Sequence, residues 1–179
     1  VQDIQDTVRE LLTDEAMVSL GNDINHNPIY TTKAMLAIEQ ALIATADAMH
    51  ANTHYHLNTA VIDKAIEAQQ DAQSFELSDE QHEAVHAVCQ SSLGIIQGKA
   101  GAGKSTSLKA LRLAYESQGM TVRGATVARK AAQQLQADTG IESGTLASLL
   151  NELGKGNTER FNDTVIVVDE AGLMATPDM

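Results

Sequence analysis

The chain has no tryptophan, two prolines, a single cysteine and only 3% aromatic residues. Cys89 alone cannot build an internal disulfide framework, so a disulfide-stapled scaffold is excluded and a reducing compartment fits. The shortage of rings leaves Leu, Ile, Val, Ala and Met to fill the interior. At 43% hydrophobic residues over 179 positions they suffice for one α/β domain and a helical appendage. No apolar run approaches membrane length and no signal peptide is recognisable, so the expectation is a soluble cytoplasmic protein without a membrane segment. A start at Val1 and an end nine residues after Glu170 suggest a piece of something larger.

Positive charge is also scarce, with 12 basic residues against 24 acidic ones, and it is unevenly placed. Through residue 98 the basic residues are Arg9, Lys33 and Lys64, and the balance is −12; from Lys99 to Arg160 it is +4. A polyanionic partner would therefore meet the later segment, while the acidic leader solvates itself or faces another protein.

That later segment opens with Gly98 to Ser105, GKAGAGKS, a Walker A phosphate-binding loop. Gly98, Gly101 and Gly103 lack a Cβ, so the backbone can turn its N–H groups onto phosphate, and Lys104 reaches the β and γ oxygens. Ser105, followed by Thr106, offers a hydroxyl to magnesium at a helix N-terminus, where the dipole favours anions. The flanks agree: Leu93 to Gln97 reads as a buried strand and Ser107 to Ser117 as a helix. Further on, the branched run Thr164 to Val168 ends in Asp169-Glu170. At the carboxyl end of a parallel strand, Asp169 would hold the metal shell and Glu170 would act as the base that orients water.

Residues 1 to about 72 read as helical, with stretches at 4–12, 33–49 capped by Thr32 and 59–69 capped by Asn58; Gly21 to Pro28 is a turn-rich break and Gln70 to Phe75 a linker. Ser78 with Gln81 forms a capping box for a helix running to about Gln90. Within that helix His82-Glu83-Ala84-Val85-His86 matches a zinc-peptidase pattern. A catalytic zinc needs a third ligand, and the segment after His86 supplies none, so the match reads as a decoy. Met120 to Thr126 is a second strand, leading into a helix with Arg129 and Lys130 at its start. Gly144 to Leu150 opens another helix with hydroxyls in its first turn. Small hydroxyls and cations at the ends of parallel strands suit a grip on a sugar-phosphate backbone, although Thr145 and Ser148 can equally serve the helix start.

Taken in order, the phosphate loop, GAT with RKAAQQL, SGTLASLL and VIVVDEAGLM resemble the motor of superfamily 1 helicases of the RecD-like branch, most closely conjugative relaxase-helicases of the TraI, TrwC and TraA type. The resemblance spans residues 29 to 179, including LSDEQHEAV. It implies a bacterial parent that nicks plasmid DNA with a separate nuclease domain and unwinds it five-prime to three-prime with ATP and Mg2+. Gln81 matches the adenine-contacting glutamine, Lys104 and Ser105 the phosphate and magnesium residues, and Asp169 and Glu170 the metal-binding and catalytic acids. Thr126 and Arg129 fall in one motif that grips single-stranded DNA, Thr145 and Ser148 in another.

The resemblance further implies a γ-phosphate-sensing glutamine and arginines from a second RecA-like domain, beyond the last residue here. The expectation is a chain that binds nucleotide, hydrolyses it slowly and does not unwind DNA alone. No histidine triad with a catalytic tyrosine marks a nuclease. A P-loop ATPase that does not act on nucleic acid, and an interaction module docking transfer proteins through residues 1–72, stay open. The fold expected is a three-layer α/β RecA-like domain at 73–179 with a parallel sheet of strands 93–97, 121–126 and 164–168, preceded by a small helical domain at 1–72.

Overall fold

The structure, a computed structural model, describes residues 2–74, 76–99, 101–156 and 158–174. They form two compact units, residues 2–48 and 49–174. The first contains helix α1 (Gln2–Leu12), strands β1 (Met17–Asn22) and β2 (Pro28–Thr32), and most of helix α2 (Lys33–Ala51). The strands pair antiparallel, Met17 opposite Thr32, with a bulge between Ser19 and Gly21. This corrects the wholly helical reading of residues 1–72: the turn-rich break is the tip of a hairpin. Asp23 makes the tip, its carboxylate accepting from the backbone N–H of Asn25 and Asn27 at 2.8 Å each. The Asn27 backbone bond, then that residue's side-chain amide, hold the Asp23 carboxyl below the usual carboxylate range. Thr32 caps α2 as expected, its hydroxyl accepting from Met35 N at 3.1 Å, yet no α2 residue is buried.

The second unit holds α3 (Thr59–Gln73), α4 (Asp79–Cys89), α5 (Lys104–Glu116), β3 (Thr121–Thr126), α6 (Arg129–Thr139), β4 (Glu142–Thr145), α7 (Leu146–Gly154) and β5 (Thr164–Val168). The three strands are parallel in the order β4-β3-β5. Residue alternation along β3 sorts the layers. Val122 joins a core with Ile62 and Ile66 of α3, Val85 and Cys89 of α4, and Ala110, Leu111 and Ala114 of α5. Ala125 packs with Leu146 and Leu149 of α7, and on the same side Arg123 pairs with Glu152 at 3.0 Å and lies over Phe161. Helix α3 therefore belongs with the second unit, and the compact units divide at residue 48, away from the division placed at residue 72. Its Asn58 cap is present, accepting from Ala60 N at 2.9 Å. The linker placed at 70–75 is largely the end of this helix, closed by Ser74 in the left-handed region; Phe75 lies outside the described residues.

Two strand readings change. Glu142–Thr145, placed before and at the start of a helix, is a strand because its backbone pairs with Arg123–Thr126, a tertiary bond that its weak β-propensity gives no sign of. Leu93–Gln97, read as a strand, joins no ladder among the described residues. Its side chains are apolar enough, but a strand is defined by a hydrogen-bonded neighbour. Leu93 and Ile96 instead share a cavity of about 430 Å³ with Val165 and Val167 of β5, which among the described residues pairs only with β3, and Ile95 is 87% exposed.

Because Ile62 and Ile66 are fully buried, Ile66→Ala should lower the denaturant-measured stability of this unit by about 2–5 kcal/mol, whereas Ile43→Ala, 62% exposed, should stay within about 0.5 kcal/mol. Burial also pushes the Cys89 thiol up from 9.0 to about 12. The folded state therefore favours the protonated thiol, a contribution complete below pH 9 and lost as pH rises from 9 toward 12. At neutral pH Ellman's reagent should label Cys89 only as fast as the unit opens, and immediate labelling would contradict this burial.

Candidate nucleotide-binding site

The phosphate loop is shaped by two glycines at positive φ, Gly101 at 78° and Gly103 at 74°. Gly103 is the N-cap of α5 and gives it no side-chain cap; Thr106 N closes onto Gly103 O at 3.0 Å, and the start of the helix is left open to an outside partner. The requirement for glycine at 103 is steric as well as conformational, because a Cβ there would overlap Nε2 of Gln81. Lys104, the first residue of α5, folds back over the loop and donates from Nζ to the carbonyls of Gly98 at 2.8 Å and Lys99 at 3.2 Å. Ser105 and Thr106 follow in the first turn, both half-buried.

Gln81 makes the expected capping box, its Oε1 accepting from Ser78 N at 2.9 Å while Ser78 Oγ accepts from Gln81 N at 3.3 Å. Its amide then does something the sequence reading missed. Nε2 donates to the Ala102 carbonyl at 3.1 Å, so one side chain caps α4 and pins the phosphate loop. A signal was available in the sequence, in a glutamine at N3 upstream of a glycine loop, but the contact depends on how α4 packs beside α5.

Asp169 continues β5 by one residue, its N–H donating to Ala125 O at 3.1 Å. Its Oδ1 accepts from Glu170 N at 2.9 Å, leaving Oδ2 to other partners. Glu170 takes the left-handed region at φ 57°, a conformation costing a non-glycine residue about 1–3 kcal/mol, and it is exposed. Lys104 and Asp169 line the same cavity; Ser105 and Glu170 are not on its wall.

The register places the other candidates along the same carboxyl edge, Thr126 opposite Thr145 on adjacent strands. Thr126 is only 1% exposed and its hydroxyl donates to Ala128 O at 2.8 Å, so it shapes the turn into α6 and offers no surface. Thr145 is half-buried and caps α7, accepting from Ser148 N at 3.2 Å. Arg129 and Ser148 are exposed, at the first turns of α6 and α7.

A family model described as an AAA domain matches residues 76–179. The chain belongs to this family. It is also similar to conjugal transfer protein TraA of Agrobacterium fabrum, 34% identical over 151 residues covering 84% of the chain and 13% of the relative. A probable conjugal transfer protein TraA of Sinorhizobium fredii is 29% identical over 96% of the chain and 15% of its own length. TraA of Rhizobium radiobacter is 32% identical over 84% of the chain and 13% of the relative. The chain thus spans under one sixth of the length of these relatives. No solved structure matches.

The AAA domain carries the P-loop, and with it the RecA-like α/β fold that the parallel sheet displays. Such a domain implies nucleotide binding. The donor set suits a hard divalent cation: a hydroxyl from Ser105 and a carboxylate oxygen of Asp169 that Glu170 N leaves free are oxygen ligands of the Mg2+ type. No helix among the described residues is long and apolar enough to cross a membrane.

Since a Cβ meets nothing within 4 Å at Gly101 but overlaps Gln81 at Gly103, Gly103→Ala should destabilise the AAA domain more than Gly101→Ala, which carries only the backbone cost of about 1–2 kcal/mol. Combining Gly103→Ala with Gln81→Ala should recover part of the difference in a double-mutant cycle followed by thermal denaturation. Equal, additive costs would contradict the packing.

Proposed function

We propose that this chain is the ATP-binding motor part of a conjugative relaxase-helicase, in which ATP and Mg2+ binding drives five-prime to three-prime movement along single-stranded plasmid DNA. The observation that carries the reading is the convergence of Lys104 and Asp169 on one cavity, at the sheet edge where β3 and β4 also end. The names of the similar TraA proteins, which state conjugal transfer, support the setting.

The loop amides, with Gly98, Gly101 and Gly103 allowing their approach, cradle the phosphates, and Lys104 exchanges the Gly98 and Lys99 carbonyls for β and γ oxygens. Ser105, Thr106 and Asp169 hold the magnesium and phosphate side. When bound, the cation neutralises charge on the transferring phosphoryl group. Glu170 is the exposed carboxylate next to Asp169 and takes the proton of the attacking water. Gln81 meets the adenine edge by exchanging its Ala102 contact, and the bound phosphates then take over the hold on the loop. Hydrolysis is thereby coupled to α4 as well as to the loop.

The strand-facing groups are Arg129 and Ser148, with Thr126 and Thr145 setting the turn and cap that present them. One cation and small hydroxyls touch backbone without reading bases. A second RecA-like domain and a nuclease domain of the parent complete the machine, and transfer proteins are its further partners.

Glu170→Gln should leave binding of a fluorescent ATP analogue intact and reduce hydrolysis by about 10²-fold or more. Arg129→Ala should weaken a fluorescein-labelled single strand several-fold, to the same degree for unrelated sequences, and reduce the salt slope of binding by about 0.7. Undiminished hydrolysis in the first variant, or unchanged strand affinity in the second, would refute the assignment.

A further inference from the structure

The histidine pair dismissed for want of a third ligand acquires one in the fold. His82 and His86, one turn apart on α4, stack with ring centroids 5.2 Å apart and planes 19° from parallel. Across the helix pair, Asp63 of α3 places Oδ1 at 2.8 Å from His86 Nε2. One ligand atom from each of the three residues lies within 4.8 Å of the others, and all three are half-buried. The segment after His86 holds no third ligand; the carboxylate lies upstream, nineteen residues before His82, and the packing of α3 on α4 brings it there.

We propose that Asp63, His82 and His86 bind a transition-metal cation of the Zn2+ class, which clamps α3 to α4. Donors around tetrahedral zinc sit roughly 3.3 Å apart, given metal–ligand distances of about 2.0–2.1 Å, so the observed cluster needs only small side-chain rotations. Two imidazoles and one carboxylate select zinc, cobalt, nickel or copper over magnesium, which separates this site chemically from the oxygen donors at Asp169. Helical i, i+4 spacing holds both imidazoles on one face before any ion arrives. The ordinary Asp63–His86 hydrogen bond accounts for that pair but gives no task to His82, whose ring faces His86 rather than a partner of its own. Three protein ligands leave room for water at the remaining position. Glu83, exposed on the helix between the histidines, is not one of the three ligands.

The clamp has a direct structural consequence. His82 follows Gln81, whose amide pins the Ala102 carbonyl of the phosphate loop, and α3 and α4 share the buried core with α5. Metal binding therefore stiffens the two helices on which the loop leans.

The test is a titration of the whole, tag-free chain with Co2+, followed by visible absorption, with Zn2+ competition and thermal denaturation alongside. The expected result is one Co2+ per chain with the intense d–d bands of a low-coordinate site, displaced by Zn2+, and a melting temperature raised by several degrees with Zn2+. His82→Gln should abolish the bands while leaving the metal-free melting temperature unchanged, because among the described residues His82 makes no hydrogen bond that its loss would break; Asp63→Asn, which keeps an acceptor for His86, should weaken binding at least tenfold. Absence of the bands, or bands and stoichiometry that persist in His82→Gln, would overturn the site, the latter by placing the metal away from α4.

Discussion

The amide of Gln81 is the point on which the nucleotide edge depends. A phosphate loop must leave its N–H groups unpaired in order to offer them, so it cannot be fixed by its own backbone ladder. It has to be held from outside, through its carbonyls. Gln81 does this with one end of its side chain while the other end closes the first turn of α4. The arrangement crowds position 103, where a Cβ would displace the Gln81 amide from its place, and Lys104 completes it by bridging the Gly98 and Lys99 carbonyls. The strength of the loop is thus borrowed from the packing of α4 and α5 around Val85, Cys89 and Ala110.

The second constraint is the register of the parallel sheet. Pairing Thr126 with Thr145 and Ala125 with Val168 brings three strand ends level, so that Asp169, the turn at Ala128 and the cap of α7 share one edge. The candidate site residues are then arranged by the sheet, with each side chain a short extension of a rigid element. Arg123, held against Glu152 and Phe161, fastens α7 to the face of the sheet that it shares with Ala125. Its guanidinium, first through the hydrogen bond and then through charge, holds the Glu152 carboxyl below the usual range.

Much of this was legible in the residues. The glycine loop, the Val-Ile-Val-Val run ending in Asp-Glu, and the Ser78, Asn58 and Thr32 caps are local signals, and the local structure follows them. The misreadings share a cause, which is that pairing is not local. Glu142–Thr145 has little strand character and becomes a strand because β3 lies beside it. Leu93–Gln97 has every strand character and pairs with nothing among the described residues. The β1–β2 hairpin was hidden because its turn residues were read as a break between helices. At the site, residue types announced Lys104 and Asp169, but neither the Gln81–Ala102 bond nor the approach of Asp63 to His86 can be read without the helix packing.

The central claim is that the loop and Asp169 form a preassembled site for a magnesium nucleotide. It is tested most directly by calorimetric titration of the chain with a non-hydrolysable ATP analogue and Mg2+, in parallel with Lys104→Ala. The account predicts one site per chain of micromolar affinity, lost in the variant and weakened when Mg2+ is withheld. Heat of binding that is absent in the native chain, or equal in Lys104→Ala, would contradict it.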